Sequence, residues 1–123
     1  MEFDGLSNRV IRCAIEVHRC LGPGLLESVY RRCMCSEFAL AGIRYETEKS
    51  LALEYKGLTL EAGLRIDLLV ENELIVELKA VDKLLPIHRA QLLTYMKIAQ
   101  TKTGLLLNFN SRILKDGMER LVL

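Results

Sequence analysis

The chain has 123 residues, half of them hydrophobic and 27% charged, with a formal net charge of +1 at neutral pH. This composition is typical of a globular protein of one domain spanning residues 1–123, and it excludes a strongly basic nucleic-acid binder. No apolar run approaches the roughly 18 to 20 residues that span a bilayer. The acidic start, MEFDGLSNRV, also lacks the apolar core of a secretory signal, so we expect a cytoplasmic protein without membrane contact.

Two helices are predicted before residue 43. Apolar residues recur at helical spacing between Ser7 and about Cys20, which predicts the first helix, and Ser7 can cap its start. The GPG sequence at 22–24 must end this helix. A second helix is predicted from about Leu25 to Leu40, with Gly42 as its C-cap.

From Ile43 the apolar period changes to that of strands. Tyr55 ends a first strand, and the KG sequence at 56–57 suits a tight hairpin turn. The second strand is predicted to bend at Gly63 and to place six alternate residues on one face: Leu58, Leu60, Ala62, Leu64, Ile66 and Leu68. A third strand runs from Leu74 to about Val81.

The C-terminal third is predicted to return to a helix and then to the sheet. Pro86 suits the first turn of a helix over 86–100, and GLLLNF at 104–109 is typical of a strand buried on both faces. The tail, 112–123, can add an edge strand. The order α-α-β-β-β-α-β predicts an α/β fold with a mixed sheet of four to five strands flanked by helices.

Three charged residues interrupt the apolar stretch DLLVENELIVELK at 67–79. Glu77 and Lys79 share a strand face, and Asp67 lies opposite Glu77 if ENE at 71–73 forms a three-residue loop. A two-residue loop would separate them, but Asn72 tolerates the left-handed conformation that the longer loop needs. We therefore expect the three-residue loop.

Two facing carboxylates repel each other in a half-buried setting, and a hard divalent cation resolves that conflict. Lys79 could position a metal-bound water or stabilise developing negative charge. The alternative is a surface ion pair between Glu77 and Lys79, worth about 1 kcal/mol or less. The spacing alone leaves both open.

Four short motifs carry a resemblance to a known family. Asp-x9-Glu-x-Lys on a hairpin is the sequence form of the PD-(D/E)XK nuclease motif, although Arg-Ile-Asp stands in place of Pro-Asp. GLLESVY at 24–30 fits a Gly-x-x-Glu-x-x-Tyr signature, and HRAQLLTYMK at 88–97 is similar to a helix with Gln-x-x-x-Tyr. GLLLNFN at 104–110 is similar to a Gly-Leu-Leu-Ile-Asn-Phe strand, with Asn110 where glycine is expected. The chain thus resembles the GxxExxY protein family of the PD-(D/E)XK nuclease superfamily.

The resemblance implies a restriction-endonuclease-like αβββαβ core with an extra N-terminal helix, and a Mg²⁺ or Mn²⁺ cofactor. It implies that Asp67 and Glu77 bind the metal, with the carbonyl of Leu78 as a further ligand, and that Lys79 is the catalytic lysine. Glu27 resembles an additional helical acid that some superfamily members direct at the metal.

Three more residues take roles from the same resemblance. Gln91 is similar to a helical glutamine that orients water or backbone near the site, and Tyr30 and Tyr95 would support or contact the substrate. Glu27 shares a helix face with Tyr30, and Gln91 with Tyr95, by their spacing of three and four residues. For the tyrosines alone, core packing with a satisfied hydroxyl is the competing interpretation.

The implied function is metal-dependent hydrolysis of nucleic-acid phosphodiester bonds, of DNA rather than RNA. The alternative is a non-catalytic binding or regulatory module that retains the nuclease fold, which the near-neutral charge favours. Specific DNA interfaces bury about 1,000 Å² or more of protein, so a core of this size is expected to act as a homodimer or with a partner protein.

The remaining candidates for metal or redox chemistry are the histidines and four cysteines: Cys13, Cys20, Cys33 and Cys35. No Cys-x-x-Cys pair is present, and free thiols are expected in a cytosolic protein, over disulfides or a metal site. Structural or surface roles are expected for His18 and His88, which have no third partner in the sequence.

Overall fold

The computed structural model describes residues 3–123, and the side chain of Ala62, one of the six residues predicted to share a face, lies outside this description. It contains three α-helices, five strands and one 3₁₀ turn: α1 (Gly5–Leu21), α2 (Glu27–Ala41), β1 (Tyr45–Tyr55), β2 (Leu58–Val70), β3 (Leu74–Lys79), α3 (Pro86–Ala99), β4 (Thr103–Asn108), the 3₁₀ turn (Leu114–Gly117) and β5 (Met118–Val122). The predicted α/β fold, an αβββαβ core with an extra N-terminal helix, is confirmed. Within the described residues no helix has both the length and the hydrophobicity to cross a bilayer.

The five strands form one mixed sheet whose spatial order equals the order in the chain. β3 and β4 are parallel, because α3 crosses from the end of one to the start of the other, and the remaining neighbours are antiparallel. β5 pairs with β4 at the sheet edge, as predicted for the tail.

Helices cover both faces of this sheet. α1 and α2 pack with one set of strand residues in a first core, and α3 packs with the other set in a smaller second core. The central strands β3 and β4 contribute to both cores, which explains why GLLLNF is apolar without alternation.

Both N-terminal helices begin at other residues than predicted. Asp4 caps α1, because its carboxylate accepts the main-chain N–H of Ser7 at 2.9 Å and its hydroxyl at 2.7 Å. The prediction that Ser7 is the cap is therefore wrong; Ser7 lies buried in the first turn. α2 begins at Glu27, two residues later than predicted, and Gly42 is its C-cap as predicted, in the left-handed conformation with φ of 69°.

The hairpin between β1 and β2 is confirmed, but the single apolar face of β2 is not. Tyr55 pairs with Leu58 across a two-residue turn whose residues both have positive φ. Ile66 belongs to the second core and Leu68 to the first, so the predicted common face is wrong at these two residues. The alternation breaks between them, at Asp67.

Asn108 fixes the segment that follows β3. Its Oδ1 accepts the main-chain N–H of Val81 at 3.1 Å, and its Nδ2 donates to the carbonyl of Val81 at 2.8 Å. β3 ends at Lys79 rather than near Val81, and Val81 bonds to this side chain instead of to the main chain of β4. A buried asparagine thus binds the segment that follows the strand carrying Glu77 and Lys79.

The cysteines and histidines have structural surroundings. No disulfide joins any of the four cysteines. His18 Nε2 lies 2.7 Å from the carbonyl oxygen of Ser111 and donates to it in the matching tautomer. His88 Nδ1 accepts the N–H of Leu85 at 3.0 Å, at the start of α3.

Candidate active site

The hairpin between β2 and β3 has the predicted three-residue loop. Val70 pairs with Leu74, and the ladder continues in register to Leu68 and Val76. Asn72 has a φ of 58°, the left-handed conformation on which the prediction depended. The next pair in this register is Asp67 and Glu77, so the two acids lie across from each other on adjacent strands.

At Asp67 and Glu77 the side chains replace the regular ladder. The main-chain N–H of Asp67 donates to Glu77 Oε1 at 3.2 Å, and the N–H of Leu78 donates to Asp67 Oδ2 at 2.8 Å. Each carboxylate therefore has one oxygen fixed by the opposite strand. The second oxygens, Asp67 Oδ1 and Glu77 Oε2, make no hydrogen bond to main chain among residues 3–123.

Glu77 lies in a setting that disfavours its charge. Only 7% of the residue is exposed. Burial and the neighbouring Asp67 carboxylate raise the pKa of Glu77 from an ordinary 4.5 to about 8, and the charge of Lys79 opposes this shift. A group of opposite charge at the free oxygens would favour the ionised form.

Arg31 is a member of this site that the sequence analysis missed. Its Nη1 lies 3.7 Å from Asp67 Oδ1, and its Nη2 lies 3.4 Å from Glu48 Oε1 on β1. Arg31 follows Glu27 by four residues on α2, so the two share a helix face. That spacing was the available signal. The guanidinium of Arg31 thus lies near Asp67 Oδ1, the carboxylate oxygen that makes no hydrogen bond to the main chain.

Lys79 lies half-buried on the strand face that also carries Glu77. Its charge is close enough to lower the pKa of Glu77. No salt bridge joins Lys79 to a carboxylate in the part of the chain that the structure describes. The alternative of a surface Glu77–Lys79 ion pair is therefore not what the structure contains.

Glu27 does not join the two strand acids. It is half-buried at the first position of α2. Among residues 3–123 no three or more histidine, cysteine, aspartate or glutamate side chains lie together as a ready metal site. The structure therefore brings Asp67 and Glu77 together and leaves Glu27 outside their cluster.

Tyr30 is a core residue, which corrects its predicted contact with substrate. It is fully buried and stacks on Phe109, with ring centroids 4.6 Å apart. Its hydroxyl donates to the carbonyl of Gly22 at 2.6 Å and accepts the N–H of Leu25 at 3.1 Å. A side chain so enclosed cannot touch a substrate. It holds the loop that leads into Glu27.

Gln91 and Tyr95 share a face of α3, as predicted. Gln91 is exposed, and its Nε2 donates to the hydroxyl of Tyr95 at 3.2 Å. Tyr95 is half-buried and packs against the second core, the cluster to which Ile75 belongs. In the described region no hydrogen bond connects this pair to Asp67 or Glu77.

The donor set fits a hard divalent cation. Asp67 and Glu77 offer two carboxylate oxygens from opposite strands, and Mg²⁺ is commonly held by one or two carboxylates while it keeps several waters. The raised pKa of Glu77 gives an independent reason, because a cation would relieve the repulsion that Asp67 causes.

The sequence profile of the PD-(D/E)XK nuclease superfamily matches residues 4–121. The chain belongs to this superfamily. No significant match was found among curated proteins or among solved structures. Membership in the PD-(D/E)XK superfamily agrees with the geometry, because Asp67, Glu77 and Lys79 have the spacing of its motif and lie on neighbouring strands.

The raised pKa of Glu77 predicts a specific pH dependence of stability. Between about pH 4.5 and 8 the folded chain retains a proton that the unfolded chain has lost, so the free energy of unfolding should fall as pH rises through this range, by up to about 5 kcal/mol. Glu77→Gln keeps an oxygen acceptor and removes the charge. It should therefore be more stable than wild type above pH 8, measured by chemical denaturation with a chelator.

Glu73→Gln is the matched control, since Glu73 is an exposed acid in the same hairpin. It should leave the pH profile unchanged. Parallel profiles for wild type and Glu77→Gln would show that Glu77 is not held in an unfavourable charge state.

Proposed function

We propose that residues 1–123 form one nuclease-like domain of the GxxExxY type that hydrolyses nucleic-acid phosphodiester bonds with Mg²⁺ or Mn²⁺. DNA is the first candidate substrate, and the cytoplasm the proposed location. The observation that carries the proposal is the convergence of Asp67 and Glu77 across two strands, with Lys79 on the same face as the buried Glu77.

In this proposal the two oxygens that face away from the main chain hold the metal. These are Asp67 Oδ1 and Glu77 Oε2, with the carbonyl of Leu78 as a further ligand. A divalent cation there would supply a Lewis acid and lower the pKa of a bound water. Lys79 orients the attacking water and stabilises negative charge on the phosphate oxygens, as a cation in a site partly shielded from solvent can do.

The residues around this centre take supporting roles. Glu27 would act from the start of α2 on the waters of the metal, and Gln91 with Tyr95 would form a polar wall on α3. Tyr95 is the proposed substrate contact, because it keeps some exposure, whereas Tyr30 acts only through its loop.

The GxxExxY assignment is supported by what the signature residues do together. Gly24 has a φ of 100°, in the region that favours glycine, and Tyr30 closes the same loop through its hydroxyl. Glu27 then starts α2 in a fixed position. The glycine, glutamate and tyrosine of the signature thus act together at the loop that leads into α2 and at its first residue.

One observation favours the alternative of a binding or regulatory module. Arg31 lies 3.7 Å from Asp67 Oδ1, the oxygen that a metal would need. A permanent ion pair there would leave the fold intact and block chemistry. We also propose a homodimer or a partner protein that enlarges the surface bound to nucleic acid. Such an assembly is compatible with both the nuclease and the binding module.

Cleavage assays test the nuclease proposal. Purified protein is incubated with supercoiled plasmid, single-stranded DNA and RNA in Mn²⁺, beside Glu77→Ala, Lys79→Ala and the exposed control Glu73→Ala. We expect wild type and Glu73→Ala to cut DNA, and the two site variants to lose activity about 100-fold or more. Equal cutting by all four proteins, or none by wild type together with no Mn²⁺ binding, would contradict the proposal.

Arg31 should weaken metal binding, because its guanidinium and the cation compete for Asp67 Oδ1. Arg31→Gln is expected to tighten Mn²⁺ binding roughly fivefold or more, by removing one like charge at short range. Isothermal titration calorimetry measures this directly. Arg32→Gln, at the exposed neighbouring position, should bind Mn²⁺ as wild type does. Unchanged or weaker binding by Arg31→Gln would instead show that the arginine supports the site.

A further inference from the structure

A groove of about 670 Å³ lies between α1 and the turn that follows β4. Its lining combines two kinds of side chain. Ile11, Ile15 and Ile113 form an apolar floor, and Ile15 and Ile113 are 50% and 59% exposed. Exposed isoleucines grouped in one concave surface indicate a binding site for the apolar part of a ligand.

The rim of this groove is basic. Arg12, Arg112 and Lys115 line it, and none of the three forms a salt bridge within the described residues. Arg19 also lines the groove, but Glu16 offsets its charge at 2.6 Å. Three cations that form no salt bridge among residues 3–123 surround an apolar floor, and this combination selects a ligand that is both anionic and partly apolar.

The groove lies at the same end of the sheet as the candidate active site. Asn108, the last residue of β4, pairs with Lys79, and Arg112 follows Asn108 by four residues. Such a segment reaches at most about 14 Å. The bond from His18 to Ser111 fixes the turn against α1 and so holds the groove in place. The residues that follow β4 thus connect the end of the strand beside Lys79 to the basic rim of the groove.

We propose that this groove binds an unpaired segment of a nucleic-acid strand, an inference that rests on the proposed nuclease function for the identity of that strand. Phosphates contact Arg12, Arg112 and Lys115, and a base without a pairing partner lies against Ile15 and Ile113. The apolar floor favours single strands over duplexes. A duplex exposes its phosphates, but its base faces are stacked on one another and cannot contact the isoleucines. The protein is thereby suited to single-stranded or frayed substrates.

Oligonucleotide binding tests this site without any cleavage. Fluorescence anisotropy with a labelled single strand, in a chelator and at low salt, compares wild type with the double variant Arg112→Ser, Lys115→Ser. Both side chains are exposed, so folding should be preserved. The matched control is Lys97→Ser, Lys102→Ser, which removes the same charge from exposed positions in the last turn of α3 and just before β4.

The groove variant should bind the single strand about tenfold more weakly, and its salt dependence should fall by about 0.7 in slope for each phosphate that the variant no longer neutralises. The control should match wild type. Ile113→Ser should weaken binding of the single strand and leave binding of the same sequence as duplex unchanged.

Three results would overturn the proposal. The groove and control variants could bind equally weakly, which would indicate only general charge. Wild type could fail to bind the single strand at low salt. Ile113→Ser could turn a dimer into a monomer without changing oligonucleotide affinity, which would make the groove an interface between copies.

The binding and cleavage assays separate this inference from the proposed function. Groove-dependent binding with neither cleavage nor Mn²⁺ binding would end the nuclease proposal and leave the groove as a strand-binding site. Cleavage with binding that does not depend on the groove would end the groove proposal alone.

Discussion

Two hydrogen bonds between main chain and carboxylates determine the geometry of the site. The N–H groups of Asp67 and Leu78, which would otherwise enter or border the ladder, are satisfied by Glu77 and Asp67 from the opposite strand. This exchange preserves the hydrogen bonding of two partly buried donors and simultaneously fixes both acids. The strands can therefore part at this point without leaving main-chain groups unsatisfied.

The rest of the fold holds Asp67 and Glu77 in place where β2 and β3 separate. β3 is covered on both faces, so Glu77 is buried by the same packing that holds its strand. Asn108 holds Val81, two residues after the end of β3, and Tyr30 holds the loop before Glu27 against the first core. The two acids, Asp67 and Glu77, destabilise each other, and the packing of the two cores nevertheless holds them together. A binding site for a cation is a physical reason for a protein to retain such an arrangement.

Much of this architecture follows from local sequence. Alternating apolar residues, the KG turn and the continuous apolar run before Asn108 predict the strands, and Asn72 predicts the three-residue loop on which the facing acids depend. These features are local, because turn chemistry and periodicity act over a few residues.

Other features depend on contacts that periodicity does not contain. The break of alternation occurs at Asp67, whose main chain and side chain bond to residues ten and eleven positions away. The burial of Tyr30 depends on its stacking against Phe109, and the approach of Arg31 to Asp67 depends on how α2 packs over the sheet. The spacing that pairs Glu27 with Tyr30 indicated a helix face, but not which of them the core would enclose.

The most direct measurement is anomalous diffraction from a crystal soaked in Mn²⁺. A single peak within coordination distance of Asp67 Oδ1 and Glu77 Oε2, with the Arg31 guanidinium displaced from Asp67, is the predicted result. An intact Arg31–Asp67 pair with no manganese at these two carboxylates would contradict the claim that they form a divalent-cation site.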